Sequence, residues 1–202
     1  METRFAYLIR GKRGKILNVD LSTDYDELFN RNVIINVSKV GGQKDKALIM
    51  SLIMLSLNEY KVSQYTYDVN YRNSASQNHL MHLAIIEEAH NLLTKPSFDS
   101  SNSGNASIIA AEMFSNMLAE IRAYGQGIMI VDQIPTKIIP DAIKNTNYKI
   151  VHRLVSPDDA EIMANALALK GDQKDLIPSL AIGEAIIMGD MDDASAWVKI
   201  KK

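Results

Sequence analysis

The chain alternates between short apolar runs and longer segments whose apolar residues recur at helical spacing. The runs "LMHLAIIEE", "GIMIVDQ", "YKIVHRL", "GEAIIMG" and "SAWVKIK" predict strands. The segments "QKDKALIMSLIMLSLNEYKV", "ASIIAAEMFSNMLAEIRAYG", "PDAIKN" and "SPDDAEIMANALAL" predict helices. Because strands alternate with helices through the middle of the chain, we predict an α/β fold with a mostly parallel sheet flanked by helices.

The first part of the chain has weaker patterning. "FAYLIR" and "KILNVD" flank "GKRG" and predict a short N-terminal β-hairpin. "NVIINVS", residues 32–38, is rich in β-branched residues and predicts a buried strand. Residues 62–79 are rich in Ser and Asn and predict a mobile surface loop. We therefore divide the chain into a hairpin and linker over residues 1–30 and a main domain over residues 31–202.

Composition narrows the class of protein. The chain has 202 residues, 47% of them hydrophobic, so it can bury a sizeable core. Its formal net charge of -2 means that any contact with DNA must come from a local patch or an oligomer. There is no cysteine and no signal-peptide core at the start, which favours a cytoplasmic location. The longest apolar run, residues 47–57, is too short to span a bilayer.

Two adjacent carboxylates, Glu87 and Glu88, follow the run "LMHLAII". In open α/β sheets, ligands bind beyond the carboxyl ends of the strands. Since side chains alternate along a strand, one acid can hold a hydrated magnesium ion while its neighbour polarises a water molecule. Nucleotide hydrolysis needs this division of labour. The alternative is that both glutamates are the solvated start of a helix.

Other polar residues are candidates for the same chemistry. Gln133 follows another buried strand, where it can contact a γ-phosphate or the attacking water, or it is a turn residue before Pro135. Arg122 and Arg153 can each neutralise developing phosphate charge, and each can equally be part of a surface ion pair. His90 stands beside the acids, but the four histidines have no spacing typical of a zinc site.

Four segments, in this order, resemble the C-terminal part of HerA-type ATPases, which belong to the HerA/FtsK group of hexameric P-loop motor proteins. They are "LAIIEEAHNLL", "EIRAYGQGIMIVDQIP", "PDAIKNTNYKIVHRLVSPDDAE" and "IPSLAIGEAIIMG". The resemblance covers roughly residues 30–200. It implies a partial RecA-like P-loop NTPase domain, in which residues 31–202 form the C-terminal half.

The resemblance also implies roles for the matched residues. "IIEEAH" resembles a Walker B strand, so Glu87 would take the magnesium-side position, through water, and Glu88 would activate the attacking water. Gln133 matches the polar sensor, and Arg122 and Arg153 match phosphate-sensing arginines, with the cis and trans roles left open. The implied cofactors are ATP and Mg²⁺ in the full-length protein.

One element of the family's motif set has no match. A P-loop ATPase needs G-x-x-x-x-G-K-[ST] to hold the phosphates, and the 202 residues contain no such motif. "GKRGK", residues 11–15, has the wrong spacing. We therefore expect a C-terminal fragment of a longer ATPase, inactive alone and without tightly bound cofactor. An open sheet edge would then need cover, which a rearranged edge or a dimer can supply.

Two functions remain open. The first is a fragment of an ATP-driven translocase or helicase that moves double-stranded DNA as a homo-hexameric ring. It would serve DNA-end processing or anti-phage defence, with a nuclease or other effector protein as a further partner and no membrane. The second is a non-catalytic interaction module that retains a degenerate ATPase fold. An in-frame G-x-x-x-x-G-K-[ST] upstream of Met1 would decide for the first.

Overall fold

The computed structural model describes residues 10–20, 23–77, 80–94 and 113–201. The helices in these ranges are Gly11–Leu17, Tyr25–Phe29, Gln43–Tyr67, Val69–Ser76, residues 113–120, Pro140–Asn145, Pro157–Ala166 and Leu176–Ser179. The strands are β1 (His82–Glu87), β2 (Gln126–Val131), β3 (Lys149–Val151), β4 (Glu184–Met188) and β5 (Ala196–Lys199). None of these helices is long and apolar enough to cross a membrane.

The strands form two sheets. β1 pairs with β2, and the pair is parallel: Met81 N, before β1, donates to Gly125 O, before β2, at 2.9 Å. β3, β4 and β5 form a second sheet in which both pairings are antiparallel. The predicted α/β class and a parallel sheet, formed by β1 and β2, are confirmed. The sheet was predicted to be mostly parallel, whereas both pairings of β3, β4 and β5 are antiparallel. The antiparallel pairing of the last three strands was not predicted, because strand patterning carries no information about strand direction.

The chain divides into two compact units, and β1 and β2 each have residues in both. The first comprises residues 1–84 and 120–129, and the second comprises residues 85–119 and 130–202. The boundary predicted at residue 30 remains a prediction. In the first unit the long helix Gln43–Tyr67 buries Ile49, Met54 and Leu57. Phe29, on a preceding short helix, packs against Tyr60 of the long helix, with ring centroids 5.7 Å apart and the rings tilted by 44°.

The second unit has a contiguous apolar core. It forms where helix Pro157–Ala166 and the segment that follows it pack against the inner side of β3 and β4. The buried members are Val151, Ala160, Ala164, Leu167, Leu169, Ile177, Leu180 and Ile186. Small alanines on the helix alternate with larger side chains around it, which allows the close packing typical of protein interiors.

The predicted N-terminal β-hairpin is wrong. Residues 11–17, which contain the supposed turn and the start of the supposed second strand, form a helix. Its backbone bonds run from Gly14 N to Arg10 O and from Asn18 N to Gly14 O. Lysine, arginine and leucine are good helix formers, and no strand partner is available to this segment among the described residues. Residues 5–9 of "FAYLIR" lie outside the described ranges.

Two further local predictions are wrong. Residues 32–38 form no strand, and Ile34 is 95% exposed. β-Branched residues favour strands only where a neighbouring strand is available to pair with them. In the polar segment 62–79, the long helix continues to Tyr67 and a second helix, Val69–Ser76, follows. The Asp68 carboxylate caps that second helix by accepting from Asn70 N and Tyr71 N.

Candidate active site

The backbone changes conformation between the two adjacent glutamates. Glu87 is the last residue of β1, whereas Glu88 is left-handed, with φ 54° and ψ 44°. A single 3-10 turn, Ala89–Asn91, follows. The Glu88 carbonyl accepts from both Asn91 N, at 2.9 Å, and Asn91 Nδ2, at 3.0 Å. The two carboxylates therefore leave the chain from different backbone geometries at the carboxyl end of a strand.

A buried aspartate at the end of β2 holds His90. Asp132 Oδ2 accepts from His90 N at 2.7 Å and lies 2.8 Å from His90 Nδ1. Its second oxygen, Oδ1, accepts from Ile134 N at 2.8 Å. The Asp132 side chain is only 4% exposed and the His90 side chain 13%. These contacts join the segment after β1 to the segment after β2.

The Asp132 carboxylate stays charged in this environment. Burial by itself raises the pKa of Asp132, but hydrogen bonds from the backbones of Ile134 and His90 and from the His90 ring together hold that pKa below its ordinary value of 3.8. A carboxylate can only accept, so His90 Nδ1 must carry a hydrogen. The other ring nitrogen, Nε2, lies 3.8 Å from Glu88 Oε2. The three side chains form a chain of contacts in the order Asp132, His90, Glu88.

The other predicted site residues do not join this chain. Gln133 directly follows Asp132 and is exposed. Arg153 is also exposed, and its Nε donates to Pro178 O at 3.0 Å. It makes no ion pair with Glu88 in the described part of the chain. Arg122 is exposed in the 3-10 turn Ile121–Tyr124, which belongs to the first unit.

The acidic residues fit a hydrated cation better than a directly coordinated one. No group of three or more metal-ligating side chains occurs among the described residues. Three donors already occupy both oxygens of the Asp132 carboxylate. Glu87 is exposed and makes no hydrogen bond or ion pair with the described residues, so its carboxylate can hold magnesium through water. The 202 residues contain no G-x-x-x-x-G-K-[ST] segment of the kind that holds phosphates.

Sequence reasoning missed Asp132 and gave His90 no specific role. The signal was present, because "IMIVDQ" places Asp132 at the same predicted sheet edge as Gln133. What no pattern revealed is the pairing of Asp132 with His90, which lie 42 residues apart.

Comparison with known proteins shows which proteins this sequence resembles. The chain is 32% identical over 161 residues to a probable DNA double-strand break repair helicase HerA of Methanocaldococcus jannaschii, covering 75% of this chain and 31% of the relative. It is 31% identical over 119 residues to HerA of Saccharolobus solfataricus, covering 58% of this chain and 22% of that protein. The chain thus spans about a third or less of the length of these curated relatives. No protein-family model matches it.

Solved structures support the fold. The genome packaging NTPase B204 of Sulfolobus turreted icosahedral virus 2, in complex with ATP-gammaS, superposes with a TM-score of 0.57 at 12% identity, covering 90% of this chain and 73% of that chain. The DNA-packaging ATPase B204 of Sulfolobus turreted icosahedral virus gives 0.51 at 15% identity, covering 90% and 78%. At such identities the likeness shows the RecA-like P-loop fold alone. Sequence and fold together confirm the resemblance to the C-terminal part of HerA-type P-loop ATPases.

Proposed function

We propose that this chain carries the water-activating half of a HerA-like ATPase that moves double-stranded DNA. The observation that carries the proposal is the placement of Glu88. It follows β1 at the carboxyl end of the parallel pair, with a left-handed backbone and its carboxylate beside the Asp132–His90 pair. Nucleotide-hydrolysing α/β proteins need a group that orients the attacking water at this edge of the sheet, and a carboxylate can do so.

The neighbouring residues have separate roles in this proposal. Glu88 accepts the proton of the attacking water, and the exposed Glu87 holds Mg²⁺ through a water molecule. Bound Mg²⁺ would offset the charge of the ATP phosphates. Gln133, exposed directly after Asp132, contacts the γ-phosphate or the attacking water. The phosphates themselves are held by a G-x-x-x-x-G-K-[ST] segment of the full-length protein.

The proposed assembly is a homo-hexameric ring in the cytoplasm. Such a ring completes each site with an arginine from a neighbouring subunit, and Arg122 and Arg153 are the candidates. The Arg153 backbone contact uses only Nε, which leaves both terminal nitrogens available for phosphate. The HerA relatives are described as double-strand break repair helicases, so double-stranded DNA is the proposed substrate of movement. A nuclease or other effector protein is a further proposed partner.

Substitution of Glu88 in the full-length protein tests the proposal. Glu88→Gln should lower the rate of ATP hydrolysis by about 10²–10⁴-fold, because loss of one positioned base commonly costs that much. Nucleotide binding should be retained, since the lost group acts on water. The matched control is Glu161→Gln, an exposed glutamate on helix Pro157–Ala166. Near-normal turnover of the Glu88 variant would refute the proposed function.

The absence of G-x-x-x-x-G-K-[ST] from these 202 residues favours a second candidate, a non-catalytic interaction module. The two candidates differ in what precedes Met1 in the gene. An in-frame motif there supports the ATPase. Its absence, with no ATP binding by the expressed protein, supports the module.

A further inference from the structure

Three hydrogen bonds to the Asp132 carboxylate fix the geometry of the Asp132–His90 pair. Asp132 receives both the backbone N and the ring Nδ1 of the same residue, so the position of His90 and the rotation of its ring are fixed together. Ile134 N holds the remaining Asp132 oxygen. With Nδ1 committed to Asp132, the only ring nitrogen left to interact with another group is Nε2.

The group that Nε2 faces is the Glu88 carboxylate, whose side chain is otherwise 63% exposed. A glutamate that exposed would ordinarily sample several rotamers. Here the Glu88 carbonyl is held by two donors of Asn91, and Oε2 lies 3.8 Å from Nε2. That distance is longer than a direct hydrogen bond but keeps the Glu88 carboxylate within electrostatic reach of the His90 ring.

We propose that His90, oriented by Asp132, is a positioning residue for Glu88: its Nε2 restricts the Glu88 carboxylate to the orientation from which it polarises the attacking water. The proposal rests on the proposed function of Glu88. It differs from a simple clamp between the segments after β1 and β2, because a clamp needs only the Nδ1 side of the ring. The two possibilities differ in whether Nε2 of His90 affects the Glu88 carboxylate.

The first measurement uses the chain alone. In ¹⁵N NMR spectra of the imidazoles, we expect His90 to carry hydrogen on Nδ1. We expect Glu88→Gln to shift the Nε2 resonance of His90 more than that of His152, an exposed histidine of the same unit. A His90 Nε2 resonance that moves no more than that of His152 would overturn the proposal, as would hydrogen on Nε2 alone.

The second measurement uses turnover by the full-length ATPase. His90→Asn keeps an Nδ2 donor for Asp132 and removes the ring nitrogen that faces Glu88. It should lower kcat by about 10- to 10²-fold with little change in KM for ATP, because misplacing a catalytic group by about 1 Å can cost as much as about 10²-fold. Combined with Glu88→Gln it should add no further loss, since both changes remove one function. His152→Asn is the matched control and should leave turnover unchanged.

The outcomes of that experiment separate the two proposals. If His90→Asn keeps the wild-type kcat while Glu88→Gln inactivates, His90 is only a clamp and the positioning role is refuted, whereas the proposed function stands. If Glu88→Gln itself keeps turnover, the proposed function fails whatever His90 does. If His90→Asn does not fold, the NMR result on the wild type and on Glu88→Gln decides the proposal.

Discussion

Asp132 accepts two hydrogen bonds from one residue, His90, through a single carboxylate oxygen, at 2.7 Å from the backbone N and 2.8 Å from Nδ1. The two residues follow β2 and β1, so this one oxygen ties together the ends of two parallel strands. The tie lies beside Glu88, where the proposed chemistry takes place. It therefore bears on both the stability and the activity of the protein.

Asp132→Asn should destabilise the chain by about 1–3 kcal/mol. Both carboxylate oxygens of Asp132 accept hydrogen bonds, whereas an amide has only one oxygen that can accept. The folded-state pKa of Asp132 lies below the unfolded value of 3.8, so its contribution is fully present above that pH. The contribution is lost as the pH falls through the lower folded pKa. Urea unfolding at several pH values should show the difference between wild type and variant shrinking in acid. Asp141→Asn, an exposed aspartate, is the control, and a difference independent of pH would contradict the prediction.

Because the backbone of Glu88 is left-handed, glycine should be more stable than alanine at this position, the reverse of the order expected in a strand. At Glu88, the glycine variant should be more stable than the alanine variant by about 1 kcal/mol, because a Cβ is unfavourable at positive φ. At Glu87, in the strand, alanine should be more stable than glycine by about 0.5–1 kcal/mol. The free energies of unfolding of the four variants test this. The same order at both positions would show that Glu88 is not left-handed in solution.

Asp159 joins two elements of the second unit. It is buried in the first turn of helix Pro157–Ala166, and its Oδ1 accepts from Thr136 N at 3.0 Å. Its exposed neighbour Asp158 also lies in the first turn, where the helix dipole favours a negative charge. Asp159→Ala should therefore cost about 2 kcal/mol more than Asp158→Ala, since only it leaves a part-buried backbone donor without a partner. Equal costs, measured by urea unfolding, would mean that the Thr136 contact contributes nothing.

The chain alone should not hydrolyse ATP, because nothing in its sequence can hold the phosphates as a P-loop does. Steady-state phosphate release should equal the buffer background at saturating ATP and Mg²⁺. Release above background that Glu88→Gln abolishes would show that this chain builds a complete site by itself.

The ring model predicts complementation between subunits. Arginine-substituted subunits, at Arg122 or Arg153, and Glu88→Gln subunits should each be inactive as pure full-length rings. Mixed rings should regain part of the activity if the arginine acts across the interface, since such an arginine can be worth about 10³–10⁵ in rate. No recovery at any mixing ratio, with mixed rings verified by mass, would reject the trans role for the arginine tested.

The sequence by itself determined where the main elements lie. Strands β1 and β2, the long helix from Gln43 and helix Pro157–Ala166 follow from apolar runs and helix-capping residues, which are local properties of the sequence. The same patterning placed Glu87, Glu88 and Gln133 at the ends of apolar runs. The strands themselves are less buried than those runs predict, since Ile85 and Met129 are 59% and 44% exposed. It failed for residues 11–17 and 32–38, because strand formation requires a partner strand that the local sequence does not specify.

Only the tertiary structure decided how the candidate site is built. The parallel pairing of β1 and β2 brings His90 to Asp132 across 42 residues of sequence, and the register of two strands is not encoded in either of them. The left-handed backbone of Glu88, which occurs together with the Asn91 contacts at its carbonyl, likewise could not be predicted, since a glutamate has no intrinsic preference for positive φ. The sequence indicated which residues stand at the sheet edge. The fold determined which of them touch, because contact depends on distances that chain packing sets.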